Sequence, residues 1–332
     1  MRYNKPQLEH IYTARQRIQS LVRKTTLEKS PWLTTFLSTN TFLKLENRQV
    51  TGSFKIRGAA NKLLSLSDEE KTRGVITVSS GNHGRAVSYV AGKLGIRAVI
   101  CLSEAVPKNK VQAIQELGAE TVVVGKTYDD SAEHAALLQG ERGLTMVHPF
   151  DDPFVIAGQG TIGVELIEDL PHIDTAIVPL SGGGLLGGIA LALKSLKPTI
   201  HVVGASMERG PAMVESLKAG HVVDVVEEPT LADALAGGIG LDNRYTFSLI
   251  QEYVDETVLV SEEEIAAAMT FALEKHHLVV EGGGAVGIAA LLYTKIGQLG
   301  KNVTVVVSGG NVDLPVLLKV AQGSYPYQKE KS

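Results

Sequence analysis

Cysteine is almost missing from the 332 residues: Cys101 stands alone, on an apolar strand-like stretch that suits a core residue. A disulfide framework within the chain and a multi-cysteine zinc site are thereby excluded. No apolar run reaches the roughly 20 residues a membrane-spanning helix needs. The N-terminal stretch MRYNKPQLEHIYTARQRI is polar, reads as a helix and lacks the apolar centre of a signal peptide. A cytoplasmic setting is the resulting expectation. Basic charge is not in excess either: 32 Lys and Arg against 36 Asp and Glu leave a net charge of −4, which offers nucleic acid no footprint. Repeats, low-complexity segments and long linkers are absent, and composition alone marks no domain boundary. Glycine, at 34 residues, is plentiful, and its placement carries the information.

Short β-rich runs alternate with helical stretches. The runs are Val75–Ser80, Arg97–Ser103, Glu120–Gly125, Met146–Pro149, Thr175–Leu180, His201–Ser206, Glu256–Ser261 and Val303–Ser308. Many are continuous Val/Ile segments without alternation, as in strands buried on both faces of a parallel sheet. Helices are expected over Ala59–Leu66, Gly84–Leu94, Lys108–Leu117, Ser131–Arg142, Gly160–Asp169, Leu185–Leu196 and Glu262–Lys275, with Ser261 and Glu264 forming a capping box. This alternation predicts an α/β fold. The tail after Gln322 is polar and expected to fray.

Three of the runs end in loops of small residues: Ser79-Ser-Gly-Asn-His83, Ser181-Gly-Gly-Gly184 and Ser308-Gly-Gly-Asn311. Ligands of parallel α/β sheets bind outside the carboxyl ends of the strands, and small residues let backbone N–H groups come close to them. Where a helix follows, its N-terminus favours an anion. Ser181–Gly184, ahead of the apolar stretch Leu185–Leu196, is the best phosphate candidate. It also completes Gly182-x-Gly184-x-x-Gly187, a dinucleotide fingerprint whose acidic partner would be Glu208. That single match supports an NAD-dependent dehydrogenase as an alternative, but leaves the other loops unexplained. Lys55, between Phe54 and Ile56, is compatible with burial, and burial is one way to make an amine nucleophilic. A lysine, a phosphate loop and two further polar loops are the parts that hold pyridoxal phosphate.

On these residues the chain resembles the fold-type-II pyridoxal-phosphate enzymes, in the branch of threonine dehydratase and serine racemase. Leu43-Lys-Leu-Glu-Asn-Arg-Gln-Val-Thr-Gly-Ser-Phe-Lys-Ile-Arg-Gly-Ala59 is similar to the family's Schiff-base segment. Ser79–His83, Ala157-Gly-Gln-Gly-Thr161, Thr230-Leu-Ala-Asp233 and Ser308–Asn311 follow in the family's order. The resemblance implies two open parallel-sheet α/β domains of the tryptophan synthase β-like kind with the cofactor in the cleft. The small domain would be 74–150, and the large one 1–73 with 151–332. It implies that Lys55 carries pyridoxal 5'-phosphate and takes the Cα proton, with Ser80 as acid/base on the opposite face. Phe54, Asn82, Gly182, Gly183, Gly184, Leu185, Gly238, Glu281 and Ser308 would surround the cofactor, Asn82 at the ring hydroxyl and Ser308 at the pyridine nitrogen. Ser79, Ser80, Asn82 and His83 would hold the substrate carboxylate, His83 through its backbone rather than its ring. Glu281 fits a structural role as well as a catalytic one.

The implied activity is β-elimination from a small β-hydroxy-α-amino acid, giving a 2-keto acid and ammonia. Threonine, serine, 3-hydroxyaspartate and a hydroxylated diaminobutyrate related to hydroxyectoine all qualify, and serine or aspartate racemisation is the alternative. A neutral hydroxyl at Ser308 makes the ring a weaker electron sink than an aspartate would, which favours prompt loss of a β-hydroxyl. Two departures stand out. Ser206 and Ala212 occupy the positions where racemase-like members keep cation ligands, so no metal is expected. Gly237–Tyr245 differs from typical catabolic threonine dehydratases. The chain is also expected to be unlike the feedback-controlled biosynthetic dehydratases, which carry a regulatory domain. A homodimer or homotetramer is expected from the family.

Overall fold

The computed structural model describes residues 5–325 and 327. Residues 1–4, and residues 326 and 328–332 of the tail expected to fray, lie outside the described residues. The expected N-terminal helix runs from Leu8 to Ile18.

Among the described residues ten strands form two sheets. They are β1 (Leu27–Lys29), β2 (Asn40–Leu45), β3 (Val75–Val78), β4 (Ala98–Leu102), β5 (Glu120–Val123), β6 (Thr145–Met146), β7 (Thr175–Pro179), β8 (His201–Met207), β9 (Glu256–Val260) and β10 (Asn302–Val307). One sheet has the order β1-β2-β10-β7-β8-β9, the other β5-β4-β3-β6. Every pairing is parallel except β1 with β2, where Leu27 faces Lys44 across an antiparallel edge. The larger sheet is therefore mixed, with one antiparallel edge strand that the sequence reading missed along with β2. β1 is only three residues long, and β2 carries Lys44 in the middle of its apolar run. That lysine is fully buried because Glu165 pairs with it.

All eight expected strands are present. Most end one to three residues early, because the Ser and Gly residues that follow have left the ladder to form the loops. Several helices start earlier than expected. The long one runs Pro153–Asp169 rather than from Gly160: Asp152 caps it by accepting from the amides of Phe154 and Val155 at 2.8 and 3.1 Å, and Pro153 fits the first turn. Thr127 and Asp130 form the capping box that starts Tyr128–Arg142, and Ser261 and Glu264 the expected one at Glu262–His276.

The glycines inside Pro153–Asp169 do not break the helix; they let neighbours touch its backbone. A Cβ on Gly158 would sit 2.5 Å from the Arg57 carbonyl oxygen, and one on Gly160 would sit 2.8 Å from that of Gly188. On the facing helix, Gly184–Leu196, a Cβ on Gly188 would lie 2.4 Å from the Ile156 carbonyl oxygen. The helix that begins with Lys55 (Lys55–Leu64) and the helix that follows the triple-glycine loop are thus both seated on one central helix at backbone contact. Any side chain at these glycines would push one of the two away.

Replacing Gly158 by Ala is expected to destabilise the protein by about 1–3 kcal/mol, the usual cost of overpacking a tight contact. Gly140 is exposed in the helix Tyr128–Arg142 with nothing within 4 Å of a built Cβ, and Gly140→Ala should stabilise by roughly 0.5–1 kcal/mol. Urea unfolding of the two variants should show opposite shifts in midpoint.

Candidate active site

Parallel pairing places the carboxyl ends of β2, β10 and β7 side by side, since β10 lies between the other two. The chain leaving β2 makes a short turn, Glu46–Arg48, and enters the helix at Lys55. The chain leaving β10 continues into Ser308–Asn311. These segments are stitched together: the Phe54 amide donates to the Ser308 carbonyl oxygen at 3.0 Å, and Ser53 forms a bridge with Gly309. The loop after β3 joins them from the smaller sheet. There Asn82 Nδ2 donates to Glu281 Oε1 at 2.7 Å, and Asn82 Oδ1 accepts from Asn311 Nδ2 at 2.6 Å.

Lys55 is half-buried, and its amine donates to the Pro149 carbonyl oxygen at 2.8 Å. Burial pushes this amine down to about 8, against the pull of the Glu281 carboxylate. Its ammonium lies 5.3 Å from the Phe54 ring centroid. Two residues further on, Arg57 is buried and clamped. Its guanidinium donates to both oxygens of Glu46, at 2.8 and 2.8 Å, and to both of Glu165, at 2.7 and 2.9 Å. Lys44 closes the set at 2.6 Å from Glu165. Burial alone would raise Glu46; Arg57, Thr25 and Lys44 hold it below the usual carboxylate range.

The triple-glycine loop has the chemistry of an anion site. Gly182, Gly183, Gly184 and Leu185 are buried, and among the described residues none of their four amides is given an acceptor. Gly183 adopts φ +86°, which favours glycine, and a Cβ at Gly182 would meet the Phe150 ring at 2.4 Å. Buried, unpaired N–H groups at the start of Gly184–Leu196 suit a phosphate. The loop after β3 offers a second set: the amides at the start of the helix Asn82–Leu94 are likewise open, Gly81 N–H reaches Ser79 Oγ at 3.4 Å, and Ser80 is half-exposed with no hydrogen bond among the described residues. A substrate carboxylate fits there.

Asn82 spends one Nδ2 hydrogen on Glu281 and keeps the other for a ligand. Ser308 is buried, its hydroxyl 3.5 Å from the Gly283 carbonyl oxygen. Burial, with Asp233 adding to it, raises Glu281 to about 7 despite hydrogen bonds from Asn82 and the Asn311 amide. His83 is packed: its Nε2 lies 2.9 Å from the Val147 carbonyl oxygen, and burial with nearby Lys55 pushes the ring down to about 3. It stays neutral, in line with a backbone role only. Gly238 is exposed, in a loop whose far end Asp151 holds by accepting from the amides of Arg244, Tyr245 and Thr246 at 2.7–2.9 Å. Lys110 and Asp233 meet at 3.5 Å between the two sheet systems. Asn311 and Asp233 lie within motifs of the sequence that assign them no part. Arg57, Glu46, Glu165, His148, Pro149 and Asp151 are not evident as site residues from the sequence. Only the ion network left a signal there, in the charges interrupting apolar runs at Lys44 and Glu165. Among the described residues no group of three or more His, Cys, Asp or Glu could hold a metal ion.

A family model described as pyridoxal-phosphate dependent enzyme matches residues 18–309. The L-threonine ammonia-lyase of Thermotoga maritima is 44% identical over 94% of this chain and 77% of its own length. The catabolic L-threonine dehydratase of Staphylococcus aureus strain N315 is 43% identical over 92% of this chain and 89% of its own. The structure of maize serine racemase superposes with a TM-score of 0.90 at 34% identity, covering 96% of this chain and 97% of that one.

The depressed Lys55 amine has a consequence for cofactor loading. Only the free base attacks an aldehyde, so its population, and the initial rate of covalent attachment to cofactor-free protein, should rise with pH and level off above about 8. Each unit below that value should slow attachment about tenfold. Borohydride trapping followed by mass analysis of the Lys55 peptide measures this directly.

Proposed function

The chain belongs to the family of pyridoxal-phosphate dependent enzymes, and from that premise we propose that it is an ammonia-lyase that removes water and then ammonia from L-threonine or L-serine to give the 2-keto acid. The observation that carries this reading is the neutral Ser308 at the end of β10 beside the Lys55 segment, with no carboxylate among the described residues hydrogen-bonded to it. A relative named L-threonine ammonia-lyase supports it.

Bound pyridoxal phosphate supplies an electron sink for the charge left when the Cα proton departs. The amides of Gly182–Leu185 would hold its phosphate, Asn82 its ring hydroxyl and Ser308 its ring nitrogen. Lys55, whose amine burial brings down to about 8, would carry the cofactor and take the Cα proton. The loop Ser79–His83 fixes the substrate carboxylate. Residues 74–150 form a small domain that closes over the larger one, built from 1–73 and 151–332; closure keeps water from the reacting carbon. The protein works in the cytoplasm as a homodimer or homotetramer. No helix among the described residues is long and apolar enough to cross a membrane.

One observation favours a second reading. Ser80 presents an unpaired, half-exposed hydroxyl beside the carboxylate loop, where it could return a proton to Cα from the face opposite Lys55. Racemisation would follow.

Incubation of the purified holoenzyme with threonine and with serine, with keto acid and recovered-substrate chirality both measured, separates the readings. Lys55→Ala should lower turnover by about 10³-fold or more, the upper range for loss of a general base together with its covalent role. Keto-acid release without inverted substrate establishes the lyase. Inverted substrate without keto acid overturns it in favour of the racemase.

A further inference from the structure

The segment His148-Pro149-Phe150-Asp151 runs between the two halves of the site. Pro149 accepts from the Lys55 amine, and Phe150 covers the triple-glycine loop, its ring against Gly182 and its carbonyl oxygen against Gly184. His148 opens this segment, and its ring is held from two sides. Its Nδ1 lies 2.8 Å from the Asp151 amide and 3.3 Å from that of Phe150, and its ring stands edge-on to Phe150 at 4.7 Å with an interplanar angle of 85°.

An Nδ1 that accepts from two amides carries no proton. The neutral ring therefore bears its hydrogen on Nε2. Burial keeps the imidazole below its ordinary value, with Lys55 acting in the same sense and Asp151, Asp152 and Asp242 in the opposite one. Nε2 has no partner among the described residues, yet it is not a buried orphan like His83 Nδ1. The two imidazoles are thus used differently. His83 spends its Nε2 on the Val147 carbonyl oxygen, whereas His148 presents a donor of fixed tautomer on an accessible edge, next to the residue that contacts the lysine.

We propose that His148 Nε2–H donates a hydrogen bond to the hydroxyl on the substrate's β-carbon, and so selects β-hydroxy amino acids. The assignment rests on the lyase reading above and deepens it. His148 donates without transferring its proton; the hydroxyl leaves with the electron pair of its bond to the β-carbon and takes up the proton that Lys55 removed from Cα, so that water departs. The bond weakens the hold of the β-carbon on its hydroxyl and orients that hydroxyl for departure. A substrate whose β-substituent leaves without a hydrogen bond has no need of it.

The test uses the His148→Asn holoenzyme. Asparagine Oδ1 can replace Nδ1 as acceptor for the two amides, while the donor at the far edge is lost. Elimination from L-serine and L-threonine, as kcat/KM, is expected to fall roughly tenfold or more, and elimination of chloride from β-chloro-L-alanine to stay within about twofold. Cofactor content and thermal midpoint should match the wild type, and ¹⁵N spectra of the wild-type imidazole should show a single Nε2–H tautomer. Equal loss on serine and β-chloroalanine, loss of cofactor, or full retention of serine activity each overturns the proposal while leaving the lyase reading intact. A wild-type enzyme that turns over neither serine nor threonine removes both.

Discussion

The Arg57 guanidinium, held between Glu46 and Glu165 with Lys44 on the far side, is the constraint on which the site depends. Two cations and two carboxylates are buried together with no net charge. Removing one partner from such a set typically costs about 3–5 kcal/mol, because the remaining charge has no solvent to turn to. The set spans three elements that nothing else ties so firmly: Lys44 on β2 and Glu46 just beyond it, Arg57 on the helix begun by Lys55, and Glu165 on the long central helix. Since Arg57 is two residues from Lys55, the network fixes where that helix starts, and with it the lysine amine. Four guanidinium hydrogen bonds reach the two carboxylates, two to each, and Thr161 accepts a further one, which fixes the orientation of the guanidinium plane. Specificity of position, more than stability, is its contribution.

The glycine seam completes what the ion network begins. Gly158 brings the central helix against the carbonyl oxygen of Arg57, and Gly160 and Gly188 bring the helix of the triple-glycine loop against its other side. The Lys55 amine and the open amides of Gly182–Leu185 are then referred to one rigid body. The open dipoles at Gly182–Leu185 can be left unpaired only because the surrounding backbone is immobilised by contacts of this kind. An anion is needed to satisfy them, and the strand order puts the lysine, the hydroxyl of Ser308 and that anion site at neighbouring strand ends.

Much of this was legible in the residues. The three small-residue loops stand where continuous Val/Ile runs stop, and parallel sheets gather such ends at one edge. Lys55, the triple-glycine loop and Ser308 therefore lie at neighbouring strand ends, and Asn82 reaches them from the smaller sheet. What escaped was whatever departs from apolar periodicity. β2 was hidden by Lys44, and the start of the central helix by Gly158 and Gly160, residues that disfavour burial or helix on their own. Each is stable only because of a partner far along the chain, Glu165 for the lysine and Gly188 for the glycine. Such pairings leave no local trace.

Glu281 shows how far that distinction reaches. From sequence, a structural and a catalytic role fitted equally well. In the structure Glu281 is the N-cap residue of the helix Gly282–Leu292 without a capping bond from its side chain; the carboxylate instead accepts from Asn82 Nδ2 and from the Asn311 amide, and a Cβ at Gly309 would lie 2.2 Å from it. Burial raises it to about 7, with Asp233 acting in the same sense and the hydrogen bonds from Asn82 and the Asn311 amide in the opposite one. Asn82 links this carboxylate to Asn311, donating to the one and accepting from the side chain of the other. Glu281 thus sets which way the Asn82 amide faces, while the opposing charges of Lys110 and Asp233 act on the carboxylate from outside. The ion pair that joins the smaller sheet system to the larger thereby bears on the carboxylate that orients Asn82.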